Sequence, residues 1–149
     1  SGDGRAWFAT AQGLGVWSPT GEFSLLGVDE GLPNQDVRAL ALGPDDAVWI
    51  ATARGLARVL PSGKWTRFTT ESTEGGLRSM ELWDLQMDNK GTLWIATSAG
   101  ISSRTPDADW SYVDLAGART VWSQPEGAIW VGTRGGLYCL DRSTLTPVP

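Results

Sequence analysis

Trp49-Ile50-Ala51-Thr52-Ala53-Arg54-Gly55-Leu56 and Trp94-Ile95-Ala96-Thr97-Ser98-Ala99-Gly100-Ile101 share one pattern, and two further segments repeat it. These are Trp7-Phe8-Ala9-Thr10 with Gly13-Leu14, and Trp130-Val131-Gly132-Thr133 with Gly136-Leu137. Ten residues beyond the first three glycines stands an aromatic, Phe23, Trp65 and Trp110; in the last unit Leu145 falls one residue earlier. Nine residues before the last three tryptophans stands an aliphatic, Leu40, Leu85 and Val121. Successive tryptophans are 42, 45 and 36 residues apart.

A period of about 40 residues is the length of one four-stranded propeller blade. Trp-Ile-Ala-Thr is apolar on both faces of a strand, so sheet must cover it on both sides. The indole fills the space between blades, and the Ala or Gly two residues on leaves room for the neighbour. The Thr hydroxyl can bond the amides of the following turn. Ahead of each tryptophan lies a hairpin signal: Asp3-Gly4, Gly43-Pro44-Asp45-Asp46, Asp88-Asn89-Lys90-Gly91 and Gln124-Pro125-Glu126-Gly127. The reading is therefore all-β, a β-propeller of about four blades of four antiparallel strands. Inner strands are expected at 37–42, 82–87 and 118–123. Second strands are expected at 5–10, 47–52, 92–97 and 128–133, third strands at 14–17, 56–60, 101–104 and 137–140, and outer strands near 22–26, 64–69, 109–113 and 145–148. The units run approximately over 1–28, 29–70, 71–113 and 114–149. Trp7, Trp49, Trp94 and Trp130, with Gly13, Gly55, Gly100 and Gly136, are expected as structural core. Trp122 is expected in the core or lining the tunnel, and Trp17 partly exposed.

Composition agrees with an array of short strands. The chain has 149 residues, with 19 glycines and 9 tryptophans. A net charge of −5 and the lack of any basic stripe argue against nucleic acid as a partner. There is no histidine, which removes Ser–His and Cys–His nucleophile pairs and imidazole metal ligands. No cofactor or metal is expected: Asp107-Ala108-Asp109 lacks the spaced oxygens of a calcium loop. The single cysteine, Cys139, cannot form an intrachain disulfide and is expected as a small buried hydrophobe. No apolar run in this chain reaches membrane-spanning length, and no signal peptide is present.

Several stretches resemble the two-component regulator propeller repeat. Gly31-Leu32-Pro33-Asn34-Gln35-Asp36-Val37 is similar to the opening of that repeat, and Asp88-Asn89-Lys90-Gly91-Thr92-Leu93-Trp94-Ile95-Ala96-Thr97 to its centre. Gly127 through Thr133 with Gly136-Leu137 is similar to the centre again. The resemblance implies a periplasmic or extracellular sensor region of a bacterial hybrid two-component regulator, with glycan fragments among the ligands of some members. Such sensors carry more blades, a membrane helix and a kinase beyond this chain.

The first unit begins at its second strand, so the first blade should lack its innermost strand. The arc is then a partial ring: an excised or engineered segment of a longer propeller, or one half of a ring of about eight blades closed by two copies.

Ligands of propellers commonly bind where inner strands start. Eleven residues before the last three tryptophans stand Arg38, Trp83 and Arg119, two guanidiniums and an indole able to grip a carbohydrate or small anion. Asp36, Glu81 and Asp84 could equally salt-bridge a structural strand start. Gln12, Arg54 and Arg134 lie in the loops between second and third strands and are further ligand candidates. The longer polar connection 69–79, with Glu71, Glu74 and Arg78, is expected as a mobile surface loop. No catalytic residues are assigned, because the paired carboxylates sit in turns without apolar shielding. The expected function is non-catalytic ligand sensing in signal transduction. The alternatives are a fragment with only a structural or self-assembly role, and a propeller enzyme of lyase or glycosidase type.

Overall fold

The computed structural model describes residues 1–141 and 144–148. Every regular element among them is a strand. Sheet one holds β1 (Ala6–Thr10), β2 (Gly13–Trp17) and β3 (Phe23–Leu26). Sheet two holds β4 (Val37–Leu42), β5 (Val48–Thr52), β6 (Gly55–Val59) and β7 (Trp65–Phe68). Sheet three holds β8 (Leu82–Met87), β9 (Leu93–Thr97), β10 (Gly100–Arg104) and β11 (Trp110–Asp114). Sheet four holds β12 (Ala118–Ser123), β13 (Ile129–Thr133), β14 (Gly136–Asp141) and β15 (Thr144–Pro147). Each sheet is an antiparallel meander in chain order, and among the described residues no strand lies on the inner side of β1 in sheet one. The fold is thus an open propeller arc.

Local chemistry repeats from sheet to sheet. The turn before each tryptophan strand closes with the same backbone bond, from Gly4 to Ser1, Asp46 to Gly43, Gly91 to Asp88 and Gly127 to Gln124. At the other end of those strands the threonine hydroxyl donates to the carbonyl three residues on: Thr10 to Gly13 (2.7 Å), Thr52 to Gly55 (2.8 Å), Thr97 to Gly100 (2.9 Å) and Thr133 to Gly136 (3.0 Å). The same oxygen accepts the amide two residues ahead, from Gln12, Arg54, Ala99 and Gly135. Glycine is required at position 100: its φ is +152°, and a Cβ would lie 2.2 Å from the Val113 carbonyl oxygen.

The core is three interlayers, one per junction between consecutive sheets. Leu14 and Val16 meet Val48, Ile50 and Val59; Trp49, Ala51 and Leu56 meet Leu82, Leu85, Leu93 and Ile95; Ala96 and Ile101 meet Val121, Ile129, Val131 and Leu140. At each junction the tryptophan-bearing back of one sheet covers the aliphatic front of the next. The connection before β8 is anchored rather than loose. Leu77 is fully buried, Thr73 Oγ1 accepts its amide and donates to Thr69 O, and Arg78 stacks 3.9 Å over Tyr112.

Burial departs from expectation at three of the four repeated tryptophans. Trp49 is 3% exposed, but Trp7, Trp94 and Trp130 are only half-buried. Trp7 borders the cleft left beside β1, and Trp94 lines a cleft of about 440 Å³ between sheets three and four. Trp130 belongs to the uncovered back of sheet four, and Gly136, at the start of β14, is exposed, with no atom of the described residues within 4 Å of its notional Cβ. Gly13, Gly55 and Gly100 are buried. Trp122 is 54% exposed, neither core nor enclosed, because its register partner is Trp130 on that same open face. Cys139, opposite Trp130 on the other side, is half-buried for the same reason. Trp17 is 49% exposed. The side chain of Leu145 lies outside the described residues. Among the described residues no helix is long and apolar enough to cross a membrane.

Candidate functional site

All three inner strands carry an irregularity at the same place. The register against the second strand shifts between Val37 and Ala39, between Leu82 and Asp84, and between Ala118 and Thr120. The residues left out of register are Arg38, Trp83 and Arg119. A bulge frees one residue from the ladder and re-aims its side chain, and here it does so three times at equivalent positions.

The three freed side chains form one column. The Arg38 guanidinium carbon lies 3.8 Å from the centre of the Trp83 ring, and that of Arg119 lies 3.5 Å from the same centre. At those distances each guanidinium sits almost directly over the ring, so two on one side would collide. They therefore cover opposite faces of the indole, in the cation–π arrangement favoured by Arg and Trp. Each member comes from a different sheet, so the column ties sheets two, three and four along the inner wall.

The two arginines differ electrostatically. Arg38 Nε donates to Asp36 (3.1 Å), its Nη1 donates to the Leu82 carbonyl (3.0 Å), and Glu81 lies 3.9 Å away. Asp84 is engaged elsewhere: one oxygen accepts from Thr120 Oγ1 (2.8 Å) and the Val121 amide (3.0 Å), the other from the Leu85 amide. Among the described residues no carboxylate lies within ion-pair distance of Arg119. The column thus has a neutralised end at Arg38 and an available cation at Arg119, which is half-buried.

The other candidates are not drawn into this column. Gln12, Arg54 and Arg134 are exposed in the turns after β1, β5 and β13. Those turns lie on the rim where inner strands start, because Val37 pairs with Thr52 and Ala118 with Thr133. The amides of Ala53 and Ser98 also bond the carbonyls of Asp36 and Glu81 across that rim.

Two charged groups away from the rim have displaced ionisation. Asp3 is held at a pKa of about 2, chiefly by the Ser1 hydroxyl, with the Arg5 amide adding to the effect. Arg104 is pushed below the usual guanidinium range by partial burial and by the nearby Arg58. Arg104 and Arg58 both approach Trp49, at 5.2 and 5.3 Å from its ring, and Arg58 is paired with Asp45. Sequence reading missed this second cation–aromatic cluster, because its members fall at different offsets in their repeats.

Residues 76–99 match the family model described as "Two component regulator propeller". No curated protein matches the chain. Among solved structures, one described as the extracellular domain of a hybrid two component system from B. thetaiotaomicron is 19% identical, with a TM-score of 0.82 over 98% of this chain and 21% of that one. A second such domain from the same organism is 23% identical, with a TM-score of 0.73 over 91% of this chain and 20% of the other. Virginiamycin B lyase from Staphylococcus aureus is 16% identical, with a TM-score of 0.77 over 99% of this chain and 53% of the lyase. The chain therefore spans about half the length of the lyase and about a fifth of the extracellular domains. At these identities the likeness is one of fold. Residues 76–99, the stretch matched to that model, contain β8 with Trp83, β9 and the turn between them.

Proposed function

We propose that this chain is a non-catalytic ligand-binding segment of a sensor propeller, exposed outside the cytoplasm in its parent protein, and that it binds a small acidic ligand at the Arg38–Trp83–Arg119 column. The observation that carries this reading is the threefold bulge, which turns two guanidiniums and an indole to the same place on the inner wall. Both faces of the Trp83 ring are covered, so a neutral sugar has no indole face to stack on. What the column offers is the forked donor set of Arg119, which suits a carboxylate, sulfate or phosphate. The shared ligand chemistry is an oxyanion, carried by an acidic carbohydrate or free in solution.

The lyase-like fold does not favour catalysis here. One solved lyase structure is described as catalytically inactive through replacement of a histidine by alanine, whereas these 149 residues contain no histidine. Calorimetric titration with a neutral oligosaccharide, a uronic-acid oligosaccharide, inorganic phosphate and sulfate tests the reading. Binding is expected for acidic probes only, weakened about tenfold or more by Arg119→Ala, roughly the loss of one charge-assisted contact. Arg54→Ala should leave it within about twofold. Absence of binding by every acidic probe, or equal loss in both variants, overturns it.

A further inference from the structure

One junction inside the arc carries charge where the others carry hydrocarbon. Arg58 on β6 pairs with Trp49 on β5, and Arg104 on β10 pairs with Leu93 on β9. Register partners share a face of their sheet, so Arg58 lies on the back of sheet two and Arg104 on the front of sheet three. They face one another across the junction packed by Trp49, Leu85 and Leu93. Between sheets one and two the equivalent positions hold Val16 and Val59, 8% and 4% exposed. Between sheets three and four they hold Ser103 and Leu140. Blades of this chain therefore stack without arginine at these positions, and packing does not explain two like charges there.

The two arginines border a cleft of about 230 Å³. Met87, which ends β8, and Leu93, which starts β9, also line it, so it lies on the rim opposite the Arg38–Trp83–Arg119 column. Both guanidiniums are short of acceptors. Their Nε atoms are buried without a partner among the described residues. Arg58 Nη2 donates to Asp45, and Arg104 Nη1 reaches only the adjacent Thr105 carbonyl, at 3.4 Å. The other Asp45 oxygen accepts the Ala47 amide (3.3 Å), so two guanidiniums stand against one committed carboxylate. Trp49 adds a third donor to the wall. Ser1 and Asp88, six residues before Trp7 and Trp94, accept their indole N–H groups, but the residue six before Trp49 is Gly43, which has no side chain to do so.

We propose that this cleft is a binding site, separate from the column, for a single tetrahedral oxyanion held between Arg58 and Arg104. The group is a phosphate or sulfate, free or carried as an ester. Guanidiniums form strong charge-assisted bonds to such oxygens. The donors come from opposite walls, and a tetrahedral group offers oxygens to both at once. The cleft is smaller than the roughly 300–1,000 Å³ of pockets for larger ligands, which favours one small group. Burial first, and then the Arg58 charge, lower the Arg104 pKa, and an anion between the two cations opposes both effects.

Titration of the intact chain with inorganic phosphate, followed by NMR of side-chain N–H groups, tests this. Saturable shifts of the Trp49 indole and of the Arg58 and Arg104 Nε–H signals are expected, with a Kd of about 1 mM or tighter. Arg104→Gln should weaken binding about tenfold or more, the loss of one charge-assisted contact. Glycerol phosphate, run in parallel, separates an ester ligand from the free ion, and binding of either supports the site. Shifts that do not saturate in that range overturn the proposal. So do shifts unchanged by Arg104→Gln, or acetate binding as tightly as phosphate. If Arg104→Gln lowers the circular dichroism melt by more than a few degrees, Arg58→Gln, on the opposite wall, takes its place. The signals of Trp83 and Arg119 report the column in the same spectra, so either site can fail while the other stands.

Discussion

At the residue scale, the partner of the indole N–H of Trp7, Trp94 and Trp130 follows the residue six positions before each. Ser1 accepts from Trp7 (3.1 Å) and Asp88 accepts from Trp94 (3.0 Å), while Trp130, with Gln124 at that position, has no partner among the described residues. Asp88 also accepts the amides of Lys90 and Thr92. Asp88→Ala should therefore lower unfolding free energy by about 1–3 kcal/mol, the cost of stranding partly buried donors. Gln124→Asp should raise it by about 1 kcal/mol by giving Trp130 an acceptor. Urea denaturation followed by fluorescence measures both. Asp3 has a depressed pKa, so its contribution is in place above the ordinary carboxylate range near 4 and is lost as pH falls toward about 2. A carboxyl titration by NMR should find its midpoint near 2, and Asp3→Asn should flatten stability between those two pH values.

At the element scale, the turns explain why so much of the fold was legible in sequence. Trp-x-x-Thr with Gly three further on defines a strand and its turn through one hydroxyl and one glycine, and both act locally. Strand boundaries therefore follow from spacing. The bulges do not, because nothing in Val37-Arg38-Ala39 or Ala118-Arg119-Thr120 marks a register shift; only the common offset of Arg38, Trp83 and Arg119 hinted that they act together. The covering of the end tryptophans was equally illegible, since a repeat defines which way a side chain points but not whether a neighbour lies there. Turns between third and outer strands make a graded prediction. Gly21 and Gly63 have φ of +88° and +83°, and Ala108 adopts +74° at the equivalent place. Ala108→Gly should stabilise by about 1 kcal/mol by removing the left-handed penalty. Gly100→Ala should cost several times more than Gly136→Ala, because only the first would clash with a backbone carbonyl. Thermal melts of the three variants give the ranking.

At the scale of the whole molecule, the sheets are joined only to their neighbours, so stability is a chain of nearest-neighbour terms. Sheet two is covered on both faces and should be among the last regions to exchange its amides, whereas sheets one and four should open first; hydrogen exchange resolved by residue checks the order. The strand complement adds a second asymmetry. Sheets two to four place an inner strand against the axis, but sheet one offers the bare edge of β1 beside a cleft of about 400 Å³ bordered by Leu40, Leu42 and Val48. Unfinished hydrogen-bond ladders template stray strands. In concentrated or warmed solutions the first failure should be accretion of partly opened neighbours onto that seam, and Ala6→Lys, which puts a charge at its margin, should delay the onset of light scattering without shifting the melting of dilute protein.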